Sequence, residues 1–216
     1  MEIEHLGHAC LRVSHDGTSL LLDPGSLSPG LAEHLDDRPL RAVLVTHAHS
    51  DHLDPAVVPA LGEAVGEDGL LTEAGAGDVV RDAGGQASPL EVGARHRFGP
   101  FEVEAVGGRH AVIHPDVPRI GNVGLLVRAG GTTMFHPGDA YDTTPEGVDV
   151  LAVPLNAPWA RVADTVDFVR AVAPRVAVPV HDGLLQPHLR EVYLGHVRRL
   201  GRAEIHDPAT GGDLSV

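Results

Sequence analysis

Within six consecutive positions, His47, His49, Asp51 and His52 offer three imidazoles and one carboxylate. They follow the apolar run Ala42-Val43-Leu44-Val45 directly, and Asp54-Pro55 comes next. Neutral imidazole is the commonest side-chain metal ligand, and with carboxylate it suits Zn, Mn or Fe in the divalent state. In an extended turn, side chains at i and i+2 can meet on one ion, which pairs His47 with His49. Asp51 and His52 then face a neighbouring position. A solvated polar loop is the alternative, but ligand-type residues at this density on a strand end point to a metal site.

The composition limits what such a site serves. The 15 histidines are scattered, with no tag-like tract, and His5, His15, His34, His96, His188, His196 and His206 read as surface residues. All 16 basic residues are Arg, so lysine nucleophiles and Schiff bases are excluded. A formal net charge of −14 opposes nucleic acid and anionic lipid, so the expected partner is a small-molecule substrate, with no nucleic acid and no membrane. No apolar run nears the ~20 residues of a membrane span, and Met1-Glu2-Ile3-Glu4-His5 lacks the order of a signal peptide. The single Cys10 has no internal partner and reads as buried and inert; a cytoplasmic location is the expectation. Nothing in the pattern reports the oligomeric state.

The elements that must position the ligands are short. Strands are expected at Glu2–Leu6, Cys10–Val13, Ser19–Leu22, Ala42–Thr46, Leu70–Glu73, Phe101–Val106, Val123–Val127, Thr132–Phe135, Val150–Val153, Val176–Val180 and Ala203–His206. Helices are expected at Asp54–Val65, Gly77–Ala83, Val162–Val172 and Pro187–Leu200. Many strands with a few interspersed helices, and no linker or repeat, give one layered α/β domain over residues 1–216.

The segment Thr46–His52 matches the HxHxDH pattern in full, and on it the chain resembles the metallo-β-lactamase superfamily. Further segments resemble that family's other motifs: Leu22-Asp23-Pro24-Gly25, Gly107-Gly108-Arg109-His110, His136-Pro137-Gly138-Asp139 and Val180-His181-Asp182-Gly183. The resemblance implies a four-layered αββα sandwich of two mixed sheets flanked by helices. It also implies two divalent ions, zinc first, with manganese or iron as alternatives. His47, His49 and His110 would take one ion, Asp51, His52 and His181 the other, and Asp139 would be shared. Asp23 would hold a ligand in its tautomer. Independently of the family, Asp23, His47, His110, Asp139 and His181 all end expected strands, where loops can converge on one site.

Two cations a few Å apart lower the pKa of a bridging water towards ~7, giving a hydroxide that attacks carbonyl or phosphorus. Asp51 and Asp139 are the expected catalytic carboxylates, Asp139 as shared ligand, with Asp51 or a nearby histidine as the proton carrier. Gly7-His8-Ala9 resembles the opening of the branch containing L-ascorbate-6-phosphate lactonase, which puts His8 at the pocket wall. His114 and Trp159 are further expected pocket residues, and His136 is expected to pack beside the site. The implied activity is hydrolysis of an ester, lactone, amide or phosphodiester. A nuclease or RNA-processing enzyme shares HxHxDH, but such members carry basic appendages. A non-catalytic binding module is marked by lost ligands, and all seven are present here.

Overall fold

A computed structural model of the protein describes residues 1–35, 39–66 and 69–216. The first half supplies β1 (Glu2–Gly7), β2 (Cys10–His15), β3 (Thr18–Leu22), β4 (Leu40–Val45), β5 (Leu70–Thr72) and β6 (Ser88–Pro89). The second supplies β7 (Arg95–Phe98), β8 (Phe101–Gly107), β9 (Val123–Ala129), β10 (Thr132–His136), β11 (Val150–Pro154), β12 (Val176–Val180) and β13 (Glu204–Ile205). Strand β14 (Leu214–Ser215) returns to pair with β1. The sheets run β14-β1-β2-β3-β4-β5-β6 and β13-β12-β11-β10-β9-β8-β7. Both are mixed, with one antiparallel and one parallel half: β3, β4, β5 and β6 run parallel, as do β10, β11, β12 and β13.

Side-chain alternation makes the layers. Leu20 and Leu22 of β3 and Ala42 and Leu44 of β4 point inward to Phe101, Val103, Leu125, Val127, Val150 and Val178 of the other sheet. Leu21, Val43 and Val45 point the other way, onto α1 (Leu31–His34), α2 (Val58–Val65) and α3 (Ala74–Asp82). On the far face, Phe135, Leu151 and Val153 pack against α4 (Val162–Val172) and α5 (Pro187–Leu200). A last short helix, α6 (Pro208–Gly211), precedes β14. The order is helix, sheet, sheet, helix, as the resemblance implied.

The helix spanning 54–65 begins as a 3₁₀ turn at Pro55–Val57, capped by Asp54, whose carboxylate accepts from Ala56 N–H at 2.9 Å. The next helix starts at Ala74, earlier than expected, because the Glu73 carboxylate accepts from the Gly75 and Ala76 amides. Strand β7 was not foreseen, since Arg95-His96-Arg97-Phe98 has no apolar run. It is an edge strand held by cross-strand pairs, Arg95 with Glu104 and Arg97 with Glu102.

The loop after β3 locks onto the HxHxDH loop. Ser26 N–H donates to Ser50 O at 2.8 Å and Asp54 N–H to Pro24 O at 3.1 Å. Gly25 lies at the crossing, where a Cβ would stand 1.8 Å from Asp51 O. Gly25→Ala should therefore cost about 1–3 kcal/mol. Gly62→Ala, in α2 with open space around the added carbon, should gain about 0.5–1 kcal/mol. Thermal unfolding of the two variants checks both signs.

Candidate metal centre

Loops from one end of both sheets meet here. Asp23 follows β3, His47–His52 follow β4, His110 follows β8, Asp139 follows β10 and His181 follows β12. The β1–β2 turn brings His8 to the same end. Two backbone bonds tie the sheets together at that end, His181 N–H to His8 O at 2.8 Å and Val123 N–H to Thr46 O at 2.9 Å. His8, Asp23 and His181 all have left-handed φ, at 51°, 47° and 56°. Such backbone is costly for a residue with a side chain, and it gathers where a site dictates geometry. Gly138, with φ 59°, meets the same demand before Asp139, since a Cβ there would stand 2.2 Å from Asn122 Oδ1.

The ligand-type atoms form two groups, His47, His49, His110 and Asp139, and His8, Asp51, His52 and His181, each within 4.8 Å of one another. Asp139 stands between them. Its Oδ2 is 3.3 Å from both His110 Nε2 and His181 Nε2, and its Oδ1 is 3.2 Å from His52 Nε2.

The hydrogen bonds behind each ring decide where its lone pair points. His52 Nδ1 donates to Asp23 Oδ2 at 2.7 Å, His110 Nδ1 to Ala111 O at 2.7 Å, and His181 Nδ1 to Asn156 O at 2.6 Å. Thr46 gives its one hydroxyl hydrogen to Asp23 Oδ2 at 2.7 Å, so it accepts from His47 Nδ1 at 3.0 Å. All four rings are left with Nε2 free to ligate. Among the described residues, three of these atoms, on His52, His110 and His181, are buried with no hydrogen-bond partner, and so is Asp139 Oδ1. Orphaned acceptors are expensive to bury, and divalent cations are the partners this donor set fits. His47 Nε2 and His49 Nδ1 face each other at 3.1 Å, where His49 donates to His47 in the absence of a cation and both nitrogens are aimed at a common point.

His8 is the exception. Gly183 N–H donates to its Nδ1 at 3.1 Å, which places the ring hydrogen on Nε2, 3.1 Å from Asp51 Oδ2. His8 thus donates to Asp51 rather than offering a lone pair. It sits beside Asp51, His52 and His181.

Charge follows the same logic. Burial pushes His47 well below its ordinary value and lowers His8 and His49, so all three are neutral. Burial opposes charge on His52 too, but Asp139 and Asp23 raise it well above normal. His181 is likewise desolvated, yet Asp139 and Asp51 lift it to about 9. Burial works against the carboxylates, and is outweighed: His52, His110 and His181 hold Asp139 low, and His181 and His8 hold Asp51 low. In the metal-free protein, protons on His52 and His181 stand in for cations.

The remaining expected residues divide. Asp23 is fully buried, and besides His52 and the Thr46 hydroxyl it accepts the Thr46 amide at 2.8 Å. His136 is buried and structural, bonding Ala9 O at 3.0 Å and accepting from Gly138 N–H at 3.1 Å. Trp159 Nε1–H donates to Asp139 Oδ2 at 2.9 Å. His114, expected at the pocket, is exposed instead; its Nδ1 accepts from Asp116 N–H inside its own turn, and it joins neither group. His5, read as surface, is half-buried and bonds His8 O at 2.9 Å. Sequence reasoning missed Asn122, whose Oδ1 accepts the Asp139 amide at 2.9 Å, and gave Thr46 no role although it opens the motif. Cys10 is buried as expected, and burial pushes its thiol up to about 12.

The profile described as a β-lactamase superfamily domain matches residues 2–181. This chain belongs to the metallo-β-lactamase superfamily. It is 39% identical over 202 residues to protein Rv0786c of Mycobacterium tuberculosis, covering 93% of this chain and 92% of that one. It is 30% identical to a UPF0173 metal-dependent hydrolase of Carboxydothermus hydrogenoformans, with 84% of each chain covered. The metallo-β-lactamase fold protein YhfI of Bacillus subtilis has the same fold, with a TM-score of 0.75 at 14% identity over 99% of this chain and 98% of that one. Among the described residues no helix is long and apolar enough to cross a membrane.

Because the folded-state value of His181 is raised from 6.5 to about 9, its protonated form stabilises the metal-free protein fully below pH 6.5. That contribution is lost as pH rises through about 9, so the melting temperature of stripped protein should fall over this interval. Apparent affinity for Zn, read by chelator competition, should rise over the same interval as the competing proton leaves. Separately, Asp23→Asn removes the acceptor that fixes His52, and should weaken metal binding about 10–100-fold while the far-ultraviolet circular dichroism is kept.

Proposed function

We propose that this chain is a hydrolase working with two divalent cations on an ester, lactone, amide or phosphodiester bond of a small molecule. The observation that carries the reading is the convergence of unpartnered, buried Nε2 atoms of His52, His110 and His181 on Asp139. His47, His49, His110 and Asp139 would hold one ion; Asp51, His52, His181 and Asp139 would hold the other. Imidazole with carboxylate favours zinc, with manganese or iron as the alternatives. Bound there, the pair supplies an activated water and positive charge for the oxygen anion that develops during hydrolysis.

The chain's own residues do the rest. Asp139 lies between the two groups, its carboxylate kept anionic against burial by the surrounding histidines. Asp51 is the more open carboxylate, 26% exposed against 4% for Asp139, and His181 and His8 hold it as the anion, so it serves as a ligand and hydrogen-bond acceptor on the open side of the site. His8 holds Asp51 in place through Nε2–H, and Gly183 holds His8. The metal-dependent hydrolase among the relatives supports the reaction class, and the net charge of −14 without lysine supports a small substrate over a nucleic acid.

The test is a panel of p-nitrophenyl esters, simple lactones and bis(p-nitrophenyl) phosphate, run on protein of known metal content. At least one class should turn over in the presence of Zn, Mn or Fe. Asp139→Ala should lose metal, towards one ion or none, and lose turnover by about 10³-fold or more, by the scale of removing a central electrostatic group. Full metal occupancy with no turnover of any class would contradict the hydrolase reading.

A further inference from the structure

Trp159 is the only tryptophan of the chain, and it stands on the segment between β11 and α4. Its Nε1–H points at Asp139 Oδ2, 2.9 Å away. The indole is gripped from behind. It meets the Tyr141 ring edge-on, centroids 4.7 Å apart at 71°, and Tyr141 stacks on Phe168 at 4.6 Å and 24°. The Tyr141 hydroxyl donates to Pro154 O at 2.5 Å and lies 3.0 Å from Thr165 Oγ1, which ties the stack to β11 and α4. On its other side the indole stands edge-on to the His110 ring, with centroids 6.1 Å apart.

The target of this grip has one freedom left. The backbone of Asp139 is fixed by Asn122, but the terminal torsion of an aspartate is broad and unfixed by rotamer preference. The orientation of its carboxylate plane decides whether Oδ1 faces His52 while Oδ2 faces His110 and His181. A carboxylate oxygen has two lone pairs, so Oδ2 can accept the indole on one and keep the other for a cation. Indole is a donor only; it cannot become a ligand and displace the carboxylate.

We propose that Trp159 is a positioning residue for the shared carboxylate, its indole N–H fixing the plane in which Asp139 reaches both ligand groups. This rests on the two-cation reading above. Trp159→Phe removes the N–H donor together with one ring of the indole while keeping an aromatic ring against Tyr141, so it is read beside the wild-type indole signal below. Chelator competition should show metal binding weakened about 10–100-fold, the usual effect of losing a partner behind a ligand. The visible absorption of the cobalt-substituted variant should shift from that of the wild type, while the stripped variant keeps the wild-type far-ultraviolet circular dichroism. The wild type gives a reading independent of any variant: its single indole N–H signal, in nitrogen-15 labelled protein, should be slow to exchange with solvent and should move as metal is added. Equal metal affinity and equal cobalt spectra in Trp159→Phe, or an indole signal that exchanges freely and ignores metal, would overturn the inference and leave the two-cation reading intact. Wild-type protein that takes up fewer than two ions per chain would remove that reading, and the inference with it.

Discussion

Asp23 sits at the end of β3 with no exposure to solvent, and its two oxygens accept three hydrogens: the Thr46 amide, the Thr46 hydroxyl and His52 Nδ1–H. A buried carboxylate is tolerable only when its lone pairs are filled in this way. The consequence runs outward. Thr46, having spent its hydrogen on Asp23, can only accept from His47. One carboxylate thereby fixes the tautomer of a ligand-type histidine in each group, His52 directly and His47 through a hydroxyl. Neither ring could turn its other nitrogen inward without leaving a buried donor or acceptor unmatched.

The same region joins the two halves of the fold. The sheets share one pairing scheme, and at one end they are tied by His8 to His181 and by Thr46 to Val123 through backbone bonds. The residues that carry these constraints also carry the strained φ values at His8, Asp23 and His181. Local cost is thus concentrated where the chain must place side chains against their own preferences, and three apolar layers of core supply the compensating stability.

Much of this was legible in the sequence. Strands built from β-branched and leucine runs, such as β4 and β12, declare themselves, and the histidines and aspartates that end them mark the site. Edge strand β7 was not legible, because it has no apolar run: it pairs with β8 through its backbone, Arg95 and Arg97 face Glu104 and Glu102, and Phe98 alone of its four residues is hydrophobic and packs against the core. Two kinds of site detail were also hidden. Partners far along the chain, such as Asn122 for Asp139 or Gly183 for His8, leave no local pattern. A residue's direction leaves none either: His114 follows His110 by four positions yet faces solvent, because the intervening segment is an irregular loop and not a helix that would align them.

The site turns on lone pairs: Nε2 of His47, His52, His110 and His181 aimed where cations would sit, Nε2 of His8 closed by its own hydrogen. Anomalous diffraction at the zinc edge from crystals grown with zinc tests this most directly. Two peaks are expected to flank Asp139, one among His47, His49 and His110 and one among Asp51, His52 and His181, with His8 Nε2 on Asp51 and not on metal. A single peak, or a zinc ion ligated by His8 Nε2, would contradict that arrangement.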